Sequence, residues 1–250
     1  MYMNKIEHLI ESILPEITDF RRYLHQHPEP AFKEVNTANA VVQRLNSIAG
    51  IEIQEQVGRT GVVAVLGPEK KGACVALRAD MDCLEIKEQN SFDHVSQNSG
   101  FMHACGHDGH TACLLGAALV ISEIRDELQG PVKFIFQPAE ENHGGASEML
   151  ADGVLENPPV AAIYGLHGTT AMKLGQIGLR AGASMAASKY FTITVKGKGC
   201  HAASPHKGVD PVHIGCQIVC AAQAIISRNI NPLDSGPVSY THLRAHETRY

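Results

Sequence analysis

The spacing of apolar and polar residues changes period several times along the chain. From Ile6 to His25 the apolar positions recur at helical spacing. His27-Pro28 ends that run, because the residue before a proline is disfavoured in the helical region. Asn36–Ala49 repeats the helical period and stops at Gly50. Strand-like segments follow at Ile51–Gln56 and Gly61–Leu66, separated by a Gly-Arg-Thr turn. Ala73–Arg78 is an apolar run between Gly72 and the acidic cluster at 80–82, as expected of a buried strand. Thr111–Leu128 predicts a long amphipathic helix, and Val132–Phe136 and Val160–Leu166 predict two further buried strands. Strands alternating with helices imply an α/β layered sheet. From about Ala181 the texture changes. Tyr190–Val195 alternates like a half-buried strand, Gly197–Gly199 turns, and Asp210–Ser227 has the period of an amphipathic helix. This reads as the opening strand and helix of a second domain.

Composition narrows the class without naming it. A chain of 250 residues holds one large domain, or one domain and part of a second. Its 44% hydrophobic and 19% charged residues fit a soluble globular protein. A net charge of −5 with scattered basic residues offers no general attraction to nucleic acid or to an anionic membrane. Met1–Ile10 lacks the apolar centre of a signal peptide, and the longest apolar run, Leu114–Ile121, is too short to cross a bilayer. The expectation is a cytoplasmic protein with neither nucleic acid nor membrane as partner. None of the seven cysteines sits in a Cys-x-x-Cys pair. Six are read as reduced and mostly buried. Cys216 and Cys220 share a helix face but have no histidine or carboxylate at ligand spacing. Cys105 alone has the neighbours of a ligand.

Those neighbours are Phe-Met-His-Ala-Cys-Gly-His-Asp-Gly-His at 101–110, with a thiol, three imidazoles and a carboxylate in one short run. Cys105 and His107 are two apart, so an extended or turning backbone turns both toward one pocket where a helix would not. Divalent metals such as zinc take this mixture of sulfur, nitrogen and oxygen. Three predicted strands also end in chemistry: the first in Asp80 and Asp82, the next in Glu140 and Glu141, the last in His167. In open α/β sheets the ligand crevice lies beyond the carboxyl ends of the strands, so topology alone makes these groups converge. Pro138 ends its strand and lets the two glutamates point apart, one toward a metal and one toward a water it can deprotonate. Asp82 is read as a group that orients a ligand histidine, and Asp80 is left open between that role and ligation. His201, in a glycine turn of the second domain, suits either plain solvation or a donor that closes over substrate. No Gly-x-Ser-x-Gly elbow, Walker loop or dinucleotide fingerprint is present.

Six segments in order resemble the M20 metallopeptidase superfamily, in its amidohydrolase branch of N-acyl-amino-acid amidohydrolases, hippurate hydrolases and auxin-conjugate hydrolases. They are Arg21–Glu29, Leu77–Asp82, Met102–Thr111, Phe136–Glu141, Gly165–Gly168 and Gly199–Pro205. The resemblance implies a layered mixed-sheet catalytic domain over 1–181 of the metal-dependent exopeptidase type. It also implies the start of a smaller α+β lid or dimerisation domain over 182–238. Cys105, His107, Glu141 and His167 would ligate two divalent metal ions (zinc, manganese, nickel or cobalt), with Cys105 bridging. Glu140 would be the general base, and His201 would steady the oxyanion, often from the partner subunit of a homodimer. The implied reaction is hydrolysis of an N-acyl amino acid, with a dipeptidase or aminopeptidase as the nearest alternative. Cys200 stands where glycine is common. The family continues well beyond this length and supplies a further metal-binding histidine. The expectation is therefore a truncated chain, inactive by itself, with a non-catalytic metal-binding fragment as the alternative and 239–250 a non-native tail.

Overall fold

A computed structural model describes residues 2–141, 144–182, 191–229 and 231. They form two compact units, Met1–Ala171 and Met172–Tyr250. The first opens with helices α1 (Tyr2–Gln26) and α2 (Val35–Leu45) and the hairpin β1 (Ile51–Val57) and β2 (Gly61–Leu66). It continues with β3 (Cys74–Asp80), α3 (His107–Ser122), β4 (Val132–Gln137), α4 (Gly145–Ala151) and β5 (Val160–Gly165). The five strands make one mixed sheet in the order β1-β2-β4-β3-β5. β2 runs antiparallel to β1 and β4, whereas β3 is parallel to both β4 and β5. The α/β layered sheet expected from the alternation, and the mixed sheet implied by the resemblance, are the fold observed.

Strand alternation explains the layers, since successive side chains of a strand point to opposite faces. Val62, Ala64 and Leu66 of β2 join Val132, Phe134 and Phe136 of β4 in a core with Phe20, Leu24, Val41, Leu45 and Leu115 of the three long helices. Val63, Ala76 and Ile135 face the other way and pack with Met149 of α4 and Val154. Each large side chain buried here contributes about 1.5–3 kcal/mol relative to exposure. Lys133 in β4 is buried, and its ammonium donates to the carbonyls of Val154, Glu156 and Pro158, at 2.9, 2.6 and 3.1 Å. That lysine ties the segment before β5 to the sheet.

Several sequence expectations need correcting. The helix predicted over Thr111–Leu128 starts four residues earlier and stops at Ser122, with a short 3-10 turn at Arg125–Glu127. It is buried on most sides, not amphipathic, because α1, α2 and the sheet all pack against it. α2 ends at Leu45, short of Ala49. β5 was expected to be buried, yet Ile163 and Tyr164 are exposed. Among the described residues β5 is the last strand of the sheet and pairs with β3 only.

In the second unit, helix α5 (Pro211–Asn229) matches the predicted helix. Asp210 caps it, its Oδ1 accepting the backbone N–H groups of Val212 at 2.9 Å and His213 at 3.2 Å. The strand predicted over Tyr190–Val195 is not formed by residues 191–195, and Tyr190 lies outside the described residues. A strand persists only where a neighbour accepts its backbone groups. Among the described residues of this unit, only Lys198 and Val209 pair in that way. The tail at 239–250 also lies outside the described residues. Among the described residues no helix is long and apolar enough to cross a membrane.

Candidate metal centre

The parallel strands β3, β4 and β5 end on the same side of the sheet, with Asp80 opposite Gln137 and Arg78 opposite Gly165 in register. Asp80 closes β3, and Asp82 follows within the same buried turn. Gly106, with φ of +86°, takes the left-handed conformation that glycine adopts without steric cost and turns the chain into α3. His107 is therefore the first helical residue, while Cys105 lies in the turn before it. The turn explains how two residues that a continuous helix would separate come to face one pocket.

Asp82 joins two segments at the floor of that pocket. Its backbone carbonyl and Oδ1 lie 2.9 and 3.2 Å from Nδ1 of His107, and its Oδ2 accepts the Glu141 N–H at 3.0 Å. With Nδ1–H donated to Asp82, Nε2 of His107 keeps a lone pair. That nitrogen is buried without a hydrogen-bond partner, and so is Oε1 of Glu141, 3.8 Å away. The gap is too long for a hydrogen bond, and two bare acceptors facing each other in the interior are costly. Nearby, Cys105 Sγ lies 3.5 Å from Nε2 of His167, whose Nδ1 donates to the Gly168 carbonyl at 2.7 Å. The ligand atoms of Cys105, His107 and His167 fall within 4.8 Å of one another, as do those of His107, Glu140 and Glu141.

The electrostatics favour a cation. Burial alone would raise the Asp80 carboxyl, but a hydrogen bond from His110 and the Arg78 guanidinium hold it well below the usual carboxylate range. Burial likewise opposes a charged His107, yet the Asp82 hydrogen bond and the charges of Asp80, Asp82 and Glu141 win and raise its pKa. Burial and the adjacent Glu141 push the Cys105 thiol up to about 12. A thiol, two imidazoles and two glutamates gathered among anionic neighbours fit a borderline-soft divalent metal, which would turn the thiol into a thiolate ligand.

The turn carrying the glutamates is held from below. Glu34 is fully buried; its Oε1 accepts the Ala139 N–H at 2.8 Å and its Oε2 the Thr60 hydroxyl at 2.6 Å. Ala139 sits at φ +50°, a conformation alanine seldom adopts, and the Glu34 bond fixes it there. Gly145 packs so closely on the Pro138 carbonyl that any side chain would collide with it. Sequence reasoning missed Glu34, because no spacing rule marks a buried carboxylate at the start of a helix.

The motif at 101–110 does not act as one cluster. His103 is buried with neither ring nitrogen hydrogen-bonded, and burial pushes its pKa down to about 4. Asp108 turns away to accept from Arg21 Nε and His25 Nδ1, each at 2.8 Å. His110 bonds Asp80. The residues predicted as ligands, Cys105, His107, Glu141 and His167, are drawn together with Glu140 and with Asp82 behind them. His201 lies in the second unit, exposed, with its Nδ1 accepting the Ala203 N–H at 3.1 Å.

With this geometry in view, comparison with known proteins is informative. A family model described as Peptidase family M20/M25/M40 matches residues 76–245. An N-acyl-L-amino acid amidohydrolase of Geobacillus stearothermophilus is 42% identical over 246 residues, covering 98% of this chain and 66% of that protein. The IAA-amino acid hydrolase ILR1-like 4 of Arabidopsis thaliana is 44% identical, covering 88% of this chain and 49% of its own. The crystal structure of the Bacillus subtilis YXEP protein is described as a dinuclear metal binding peptidase from the M20 family. It superposes with a TM-score of 0.64 at 41% identity, over 68% of this chain and 47% of that one. The chain thus spans about half to two thirds of the length of the proteins it matches.

Proposed function

The chain belongs to peptidase family M20/M25/M40, and from that premise we propose that it serves an amidohydrolase that cleaves N-acyl amino acids at a two-metal centre. The observation that carries this reading is the pair of buried, unpartnered atoms, His107 Nε2 and Glu141 Oε1, facing each other across 3.8 Å. Cys105, His107, Glu141 and His167 would hold the two ions, and zinc, manganese, nickel and cobalt all suit this donor set. When bound, such ions polarise an amide carbonyl and acidify a water.

The chain's own residues supply the remaining steps. Glu140 is exposed beside Glu141 on the same turn, so its carboxylate is free to take the proton of the attacking water. It then returns that proton to the departing amine nitrogen as the carbon–nitrogen bond breaks. The products are a carboxylate and a free amino acid. Asp82 keeps the Nδ1–H tautomer of His107, which leaves Nε2 bare for ligation. Residues 182–238 would open the lid. His201 would steady the oxyanion from there, contributed across a homodimer.

A substrate panel tests the reading. N-acetyl and N-benzoyl amino acids should be cleaved and free-amine dipeptides spared, in a reaction that a chelator stops and added metal restores. Preference for the dipeptides would replace the amidohydrolase by a dipeptidase. Loss of activity in Glu140→Gln with metal still bound would support the role of Glu140, and retained activity would remove it.

A further inference from the structure

Asp80, His107 and His110 also bring ligand atoms within 4.8 Å of one another, which on distance alone looks like a further cation site. The hydrogen bonds of His110 point elsewhere. Its ring is buried, and both nitrogens are engaged. Nδ1 lies 2.7 Å from Asp80 Oδ1, and Nε2 lies 2.8 Å from the backbone nitrogen of Gly168. A backbone N–H only donates, so Nε2 must be the accepting, unprotonated nitrogen. The proton therefore sits on Nδ1 and is given to Asp80. Asp80 is braced in turn by Arg78, whose Nη1 donates to Oδ2 at 2.7 Å. Neither nitrogen of His110 is left for a metal.

What the ring does hold is Gly168, the residue after His167. Its N–H is taken by His110 and its carbonyl by Nδ1–H of His167 at 2.7 Å. Both backbone groups of Gly168 thus fix the His167 ring, and Nε2 of that ring faces Cys105 Sγ at 3.5 Å. His167 needs such a brace. It is exposed and follows β5, which among the described residues pairs with β3 alone.

We propose that Asp80, His110 and Gly168 form a relay that sets the tautomer and orientation of His167, which makes His110 a positioning residue and not a metal ligand. The proposal rests on the metal centre above for its consequence, though not for its geometry. The first test uses metal-free protein and long-range proton–nitrogen NMR of the imidazoles. His110 should show the Nδ1–H tautomer, the less common one for free histidine, and His167 should show Nδ1–H as well. In His110→Asn the amide still reaches Asp80 but not Gly168, and His167 should become a mixture of tautomers. An Nε2–H tautomer at His110, or an unchanged His167 in the variant, would overturn the relay.

The second test titrates cobalt and follows the thiolate-to-metal absorption. His110→Asn should lower affinity about 10–100-fold, as loss of a group supporting a ligand does. In a His167→Ala background the same change should have no further effect. Equal losses in both backgrounds would make His110 an independent ligand and end the proposal. Wild-type protein that binds no cobalt would remove the proposed function instead, leaving the tautomers to judge the relay.

Discussion

Two histidine–carboxylate clusters flank the first turn of α3, built from the same residue types and finished differently. Around His25 both ring nitrogens are taken, Nδ1 by Asp108 at 2.8 Å and Nε2 by Glu88 at 3.1 Å. Arg21 Nε adds a second bond to the same Asp108 oxygen. Around His107 only Nδ1 is taken, by Asp82, and Nε2 faces Glu141 Oε1 across 3.8 Å with no hydrogen bond between them. In the first cluster both imidazole nitrogens are bonded within the protein, with Asp108 Oδ1 alone left unpartnered, and the cluster works as a clamp between α1 and α3. The second leaves a buried ring nitrogen and a buried carboxylate oxygen without protein partners, the donor pair that a divalent cation would satisfy. A histidine beside a carboxylate is therefore uninformative until each ring nitrogen has been accounted for.

The comparison predicts that changes in the open cluster remove chemistry and spare the fold, with the reverse for the closed one. The largest effect is expected from Glu140→Gln, a fall in turnover of about 10²–10⁴-fold for loss of a general base. Hydrolysis of N-acyl amino acids would measure it, and urea denaturation of the metal-free protein should move little. Asp108→Ala should leave His25 buried beside an unpaired partner and cost about 3 kcal/mol of stability in the same urea assay. A loss confined to metal binding would instead place Asp108 in the open cluster. Asp82→Ala should follow, with metal affinity lowered about 10–100-fold in a chelator competition. The carboxylate that supports the His107 ring and holds the Glu141 N–H is lost, and only the backbone carbonyl of residue 82 still faces Nδ1.

The smallest effect concerns pH. The hydrogen bond with Asp108 raises the pKa of His25 above its ordinary 6.5 despite burial. The stability His25 contributes is therefore complete below pH 6.5 and is lost as pH rises through the raised value. The difference in unfolding free energy between wild type and His25→Gln should shrink across that window. A difference that is flat with pH would mean His25 is held by packing alone.

Much of this was legible in the chain. Continuous apolar runs marked β2 and β4, and the acids and the histidine following three strands marked the place where chemistry would gather. That inference works because parallel strands deliver their ends to one edge. The register then put Asp80 beside Gln137, immediately before the Pro138–Glu141 turn. The run at 101–110 misled in one respect. It suggested five side chains acting together, whereas Asp108 and His110 bond to different neighbours and His103 is buried with neither ring nitrogen hydrogen-bonded.

By itself the sequence determined the layered sheet, the family resemblance and the set of residues able to bind metal, because periodicity and order along the chain are local properties. The tertiary structure alone decided that Nε2 of His107 is free while both nitrogens of His25 and His110 are engaged. It also assigned Glu34 to hold the Ala139 turn, gave His110 to Gly168, and left β5 paired with β3 alone among the described residues. Those outcomes depend on hydrogen bonds between groups separated by up to 105 residues, and no spacing rule along the chain can encode them.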